Sequence, residues 1–234
     1  MILAHNERGE VLQSQLLASL SGVEHFCSAR TCPDPADGVW MPHQVHSAEV
    51  VVLDEAALGA AIPDADAVIT CLPNQWIGVR TADCVPVLLV DPVRRVVAAV
   101  HAGWRGTVAH IVAIAVQKMK AMGCLPQDLR AAVGPSISPE AFEVGEEVAA
   151  AFTEAGRGEC IVREVWGPLG RQPYVKPHID LWQSNVMDLM DEGLELDQID
   201  CTPWCTYGNN DHFFSARREG IGTGRIVSAI RIDC

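Results

Sequence analysis

The sequence predicts an α+β chain, a single domain of packed mixed β-sheets flanked by helices. Three observations carry that prediction. Short β-branched runs alternate with longer helix-like segments, which calls for sheets covered by helices. Several of the runs are joined too tightly for βαβ crossovers, so the sheets are mixed. No repeat, charge block or Gly/Pro/Ser-rich linker divides the 234 residues.

The elements follow in order. Residues 5–20 read as a short amphipathic helix and 30–44, rich in Pro, Asp and Cys, as a loop. Residues 48–53, 85–90, 96–101 and 226–232 read as strands from their β-branched content. Segments 107–122, 139–155 and 179–193 read as helices, stopped by Gly123, Gly156 and Gly193.

Hydrophobic residues are 49% and charged residues 20%, which excludes a disordered or collagen-like chain. No apolar run approaches 18 residues, so no membrane span is expected. The start, MILAHNERGE, lacks the basic and apolar regions of a secretory signal. A net charge of −13 argues against nucleic acid and anionic lipid as partners, while leaving room for a small anion in a locally basic pocket. The nine Cys are odd in number and irregular in spacing, which reads as reduced thiols in the cytoplasm, available for metal or nucleophilic chemistry.

The most informative stretch is TADCVPVLLVDPVRRVVAAVHAGWRGT, residues 81–107. Two apolar runs flank Asp91-Pro92-Val93-Arg94. A two-residue loop at Pro92-Val93 sets Asp91 opposite Arg94 and, along the same ladder, Cys84 opposite His101. Opposed residues have Cβ atoms roughly 4.5–5.5 Å apart. That separation suits two ligands of one Zn²⁺, at about 2.3 Å for Cys and 2.0–2.1 Å for His. A longer loop would leave the pair diagonal but close. Pro86 marks an edge or an irregular strand start.

A zinc site with an open position needs a third donor. Met41-Pro42-His43-Gln44-Val45-His46 offers two, and His46 is preferred because it lies nearer the strand at 48–53; His43 and Gln44 then line the pocket. Asp83 points away from Cys84 if the chain is already extended there. If 81–83 is still a turn it enters the pocket as acid or base, and its plainer role is to cap that turn. Arg80 is placed to hold an anion. Gly103 and Gly106 allow close backbone approach, and Arg105 with the following helix start forms an anion site. Trp104 is either packing or a stacking wall. Cys201 and Cys205 have the offset of a helix turn, Glu140, Glu143, Glu146 and Glu147 read as a solvated helix face, and His178 and His212 as structural. The stretch Phe213-Phe214-Ser215-Ala216-Arg217-Arg218 brings a second basic element, with Arg217 a candidate for substrate or phosphate.

Taken together, HQVHSAEV, ADAVIT, TADCVPVLLVD, AAVHAGWRGT, AVGPSISPEAFEVGEEV, DLW and FFSARR followed by TGR resemble the YfiH/YlmD-like family, also called the laccase-domain or multicopper polyphenol oxidoreductase family. The resemblance covers residues 22–232 and leaves 1–21 as an N-terminal extension. It implies the mixed-sheet fold, which is similar to a toxin deamidase domain. It also implies phosphorolysis of adenosine, inosine and methylthioadenosine, with adenosine deaminase activity, and places the family's zinc set on His46, Cys84 and His101. Copper is the alternative metal, tied to the older polyphenol oxidase label. The chain departs from the family in a shortened loop after Arg30 and in Ala216, where an aromatic is usual. The rival readings are a Cys-His hydrolase or amidase with Cys84 as nucleophile, a copper phenol oxidase, and a binding domain with a decayed pocket.

Overall fold

The computed structural model describes residues 1–167, 170–201 and 204–233, with backbone alone at 165–167, 170 and 171. The chain opens with strands β1 (Ile2–Asn6) and β2 (Gly9–Gln13) and the one-turn helix α1 (Gln15–Ala18). Strands β3 (Val23–Ser28), β4 (Val50–Leu53), β5 (Ala67–Thr70), β6 (Ile77–Thr81), β7 (Val85–Asp91) and β8 (Val96–Ala102) follow. Then come α2 (Trp104–Val108), α3 (Ile111–Ala121), β9 (Arg130–Val133) and α4 (Glu146–Glu154). The remainder is β10 (Ile161–Gly167), β11 (Gly170–Ile179), α5 (Leu181–Asp191), β12 (Ile199–Cys201), α6 (Ala216–Glu219) and β13 (Ile226–Ile232).

Three sheets result, in the orders β1-β2-β3-β13-β6, β12-β9-β7-β8-β5-β4 and β10-β11. The two larger sheets pack face to face. Leu88, Val90, Val97 and Ala99 of the six-stranded sheet meet Val23, Ile77, Val79, Ile230 and Ile232 of the five-stranded one. The alternate residues Val85, Val87, Leu89, Val96, Ala98 and Val100 turn the other way, onto α3 and α5. Strands β7 and β8 are therefore buried on both faces, which is why they read as continuous apolar runs. The expected α+β architecture is the one found.

Several local expectations change. Of residues 5–20 only the one turn of α1 is helical; the first part is a hairpin, because Gly9 takes φ +107° and the Asn6 side chain accepts the Arg8 N–H at 2.9 Å. That turn chemistry closes a hairpin whose second strand pairs with β3, so the N-terminal residues extend the five-stranded sheet. The 107–122 helix is broken at His110, whose φ is +57°. The 139–155 helix starts only at Glu146; before it, Ser138 O accepts the N–H groups of Ala141 and Phe142 in a turn. Glu146 and Glu147 thus lie on helix, whereas Glu143 pairs with Lys176 outside it. Gly123, Gly156 and Gly193 all adopt positive φ where the three helices end.

Cys201 ends a strand and Cys205 lies in a loop, so they share no helix turn. His178 bonds Pro139 O and His212 pairs with Glu10, both in structural roles. Eight cysteines are free, and the ninth, Cys234, lies outside the described residues. Among the described residues no helix is long and apolar enough to cross a membrane.

Candidate metal centre

The β7–β8 hairpin sets the geometry. Its register runs from Val85↔Ala102 to Asp91↔Val96, so the loop is the four residues 92–95 rather than Pro92-Val93 alone. The reason is local: the Asp91 carboxylate accepts the N–H groups of Val93 (2.9 Å) and Arg94 (2.8 Å), and Arg95 takes φ +57°. The ladder slips by two residues. Pro86 faces His101, and Cys84 sits just before the strand, diagonal to it. Strand β7 is interior, so Pro86 marks an irregular start; the β9 ladder begins at Val87↔Val133.

The slip keeps Cys84 and His101 together, and a third side chain joins them. Ligand atoms of His46, Cys84 and His101 all lie within 4.8 Å of one another. The two imidazoles stand nearly perpendicular, at 84° and 4.9 Å between centroids. His46 reaches the cluster from a loop residue at φ +60°. Gly103 closes the floor: a Cβ there would come 3.1 Å from Cys84 Sγ and 3.2 Å from His46 Cδ2. One thiol, two imidazoles and a backbone with no side chain beside them form a cradle that fits a tetrahedral ion with one open position.

The electrostatics agree. Burial alone would raise the Cys84 thiol, but the His101 and His46 rings bonded to it outweigh burial and bring it down to about 6. Burial would lower His101, but its bonds to Asp66 and Cys84 lift it to about 9. Asp66, fully buried, is held well below the usual carboxylate range; the bonds from His101 and Ser47 overcome the opposite effect of burial. Asp66 lies in the ADAVIT stretch, where nothing in the local sequence distinguishes it from an ordinary acidic residue ahead of a strand.

The cluster opens into a cavity of about 970 Å³ lined by Met41, His43, Gln44, Arg80, Asp83, Phe142 and Arg217, among others. His43 lines it while pairing with Asp64 at 2.7 Å, outside the donor cluster. The Gln44 amide clamps the Arg80 backbone, accepting its N–H and donating to its carbonyl, both at 2.8 Å. Asp83 takes φ +91°, so the chain is in a turn there and the side chain enters the cavity. Its oxygens accept from Thr206 Oγ1 (2.7 Å) and from the Arg217 N–H (2.6 Å) at the start of α6. The Arg217 guanidinium donates to Glu143 O at 2.9 Å and lies over the Phe142 ring, which pins the 141–143 wall. Arg225 is likewise tied to the carbonyls of Ile221, Thr223 and Gly224. Among the described residues, the guanidinium of Arg80, also on the cavity wall, has no hydrogen-bond partner. Arg105 is not brought to the cavity: it is exposed and stacks on Trp104 at 4.4 Å, on a helix of only five residues.

Residues 23–233 match the family model described as multi-copper polyphenol oxidoreductase laccase. The chain is 40% identical over 200 residues to a purine nucleoside phosphorylase of Bacteroides thetaiotaomicron, covering 82% of this chain and 72% of that one. It is also 40% identical over 203 residues to adenosine deaminase RL5 from an unknown prokaryotic organism, covering 83% and 75%. The fold superposes on that of YlmD from Geobacillus stearothermophilus with a TM-score of 0.84 at 22% identity, over 100% of this chain and 99% of the other. With its fold and residues 23–233 in agreement, the chain belongs to the multi-copper polyphenol oxidoreductase laccase family.

Proposed function

We propose that the protein is a zinc-dependent purine nucleoside enzyme. It phosphorolyses adenosine, inosine and methylthioadenosine to free base and ribose 1-phosphate, and deaminates adenosine. The observation that carries this reading is the His46–Cys84–His101 donor cluster at the base of a cavity large enough for a nucleoside. The relatives named purine nucleoside phosphorylase and adenosine deaminase support the substrate class. A divalent ion held by these three donors supplies Lewis acidity at neutral pH. Zinc suits a mixed imidazole–thiolate set with an open position, and copper is the alternative.

The chain's own residues do the rest. Arg80, on the cavity wall and unpaired among the described residues, holds phosphate against the ribose. In phosphorolysis a phosphate oxygen bonds to C1′ while the C1′–N9 bond breaks; the electron pair leaves with the purine, which takes up a proton. In deamination water adds at C6 and ammonia leaves. Met41, Ile62, Phe142 and Ile221 give the cavity an apolar rim for the base. Both Asp83 oxygens are engaged by Thr206 and Arg217, so we assign Asp83 to positioning the α6 start rather than to proton transfer.

Purified protein incubated with adenosine or inosine and phosphate should yield free base, and adenosine alone should yield inosine, both read by chromatography. Cys84→Ala should lose bound metal and at least ~10³-fold of activity. Arg80→Ala should raise KM for phosphate at least tenfold with adenosine deamination unchanged. Product formation by Cys84→Ala at the wild-type rate would overturn the reading.

A second reading is favoured by the Cys84–His101 contact itself: a Cys-His hydrolase or amidase in which the Cys84 thiolate attacks and His101 serves as base. Full activity after chelation, together with inactivation by iodoacetamide that zinc does not slow, would select it.

A further inference from the structure

The β5–β8 ladder pairs Ala67 with Val100, so the residue before β5, Asp66, lies directly across from His101. Asp66 is fully buried, yet it accepts five hydrogen bonds. Oδ1 accepts from His101 Nδ1 at 2.7 Å and from the His46 N–H at 3.0 Å. Oδ2 accepts from the Val45 N–H at 3.3 Å, the Ser47 N–H at 2.6 Å and Ser47 Oγ at 2.8 Å. One carboxylate thus meets the ring of one proposed ligand and three successive backbone N–H groups around the other.

We propose that Asp66 is the positioning residue of the donor cluster, fixing both histidines at once. This rests on the metal reading above. At His101 the bond to Nδ1 keeps that nitrogen protonated and leaves Nε2 to face Cys84 and His46. A histidine whose second nitrogen is held this way is fixed in ring orientation as well as tautomer. At His46 the three N–H bonds hold the 45–47 turn, in which His46 takes φ +60°, an uncommon conformation for a residue with a Cβ. Without an acceptor gathering those amides, the chain has little reason to stay there, and His46 would swing from the cluster. Asp66 reaches both because it stands at the end of a strand, between the β8 terminus and the loop that leads into β4.

Asparagine cannot replace it. With its amide nitrogen toward His101, two donors meet and the His46 N–H loses its acceptor. With its amide nitrogen toward Ser47, the Val45 and Ser47 N–H groups lose theirs. Both orientations break one half of the arrangement.

The test compares wild type, Asp66→Asn and Ser47→Ala by Zn²⁺ titration against a chromophoric chelator, and by proton NMR of the His101 Nδ1–H. Wild type should show a strongly deshielded, slowly exchanging Nδ1 proton, which a merely space-filling Asp66 would not produce. Asp66→Asn should lose that signal and bind Zn²⁺ 10–100-fold more weakly. Ser47→Ala, which removes only one of the five donors, should keep the proton and weaken Zn²⁺ less than tenfold. Absence of the deshielded proton in wild type overturns the proposal even if Asp66→Asn does not fold. Equal Zn²⁺ affinity in wild type and a folded Asp66→Asn also overturns it. Tight Zn²⁺ binding and the expected proton in a protein that turns over no nucleoside would sink the enzymatic reading and leave the Asp66 assignment standing.

Discussion

His101 in the six-stranded sheet and His25 in the five-stranded sheet are almost equally buried, at 3% and 2% exposure, yet they are driven in opposite directions. His101 has the Asp66 carboxylate on one ring nitrogen and the Cys84 thiol near the other, and it is lifted to about 9. His25 accepts the Ser14 N–H on Nε2, has no partner on Nδ1 among the described residues, and is pushed down to about 4 by burial, against the opposing charge of Asp200. Burial alone makes a histidine inert; the groups on its two nitrogens make it a site. His110 completes the contrast. It also bonds a buried carboxylate, Asp188 at 2.8 Å, but Asp188 is shared with Arg157 at 2.6 Å.

The first way to break this comparison is to remove Asp188. Asp188→Ala leaves the nearly buried Arg157 with only the exposed Asp191 and should cost roughly 3–5 kcal/mol in urea unfolding. Zinc uptake should be unchanged; a loss of zinc would mean that the His110 pair belongs to the site after all.

The second concerns pH. In the unfolded chain His25 protonates near 6.5, and in the fold only near 4. Above pH 6.5 its contribution to stability is fully present. As pH falls from 6.5 to 4 the unfolded state binds the extra proton, and about 3 kcal/mol is lost. Denaturation followed between pH 7 and 4 should show that slope. His25→Gln, which keeps an acceptor for Ser14, should flatten it, and an unaltered slope would refute the assignment to His25.

The smallest effect sharpens the site end of the comparison. Gly103→Ala places a methyl 3.1 Å from Cys84 Sγ and 3.2 Å from His46 Cδ2, at a backbone φ of −70° that alanine tolerates. Stability should change by less than about 1 kcal/mol, while zinc affinity falls roughly tenfold, read by chelator competition. Unaltered affinity would show that the ion sits away from Gly103.

Much of this was legible in the residues. Strands β7, β8 and β13 could be read because both their faces are largely buried, so each is a mostly apolar run rich in β-branched residues. The Cys84–His101 pair survived an error of two residues in register, since a slip by two preserves the face of the sheet. What escaped depends on contacts distant in sequence. Asp66 looks like any acidic residue ahead of a strand until folding brings residues 45–47 and His101 around it. Arg105 sits beside a Gly-rich turn that suggested an anion site, yet its side chain turns back onto Trp104. The residue 5–20 segment has helical spacing of its leucines, but Asn6 and Gly9 impose a hairpin on it.

Strand β13 lies between β3 and β6, though it is the last strand in the chain. During synthesis two edges of the five-stranded sheet therefore wait, with unpaired amides and carbonyls, until some two hundred further residues have emerged beyond β3. Such edges invite pairing between nascent chains. A central closing strand thus gives the unfinished chain two open edges that β13 covers in the finished sheet.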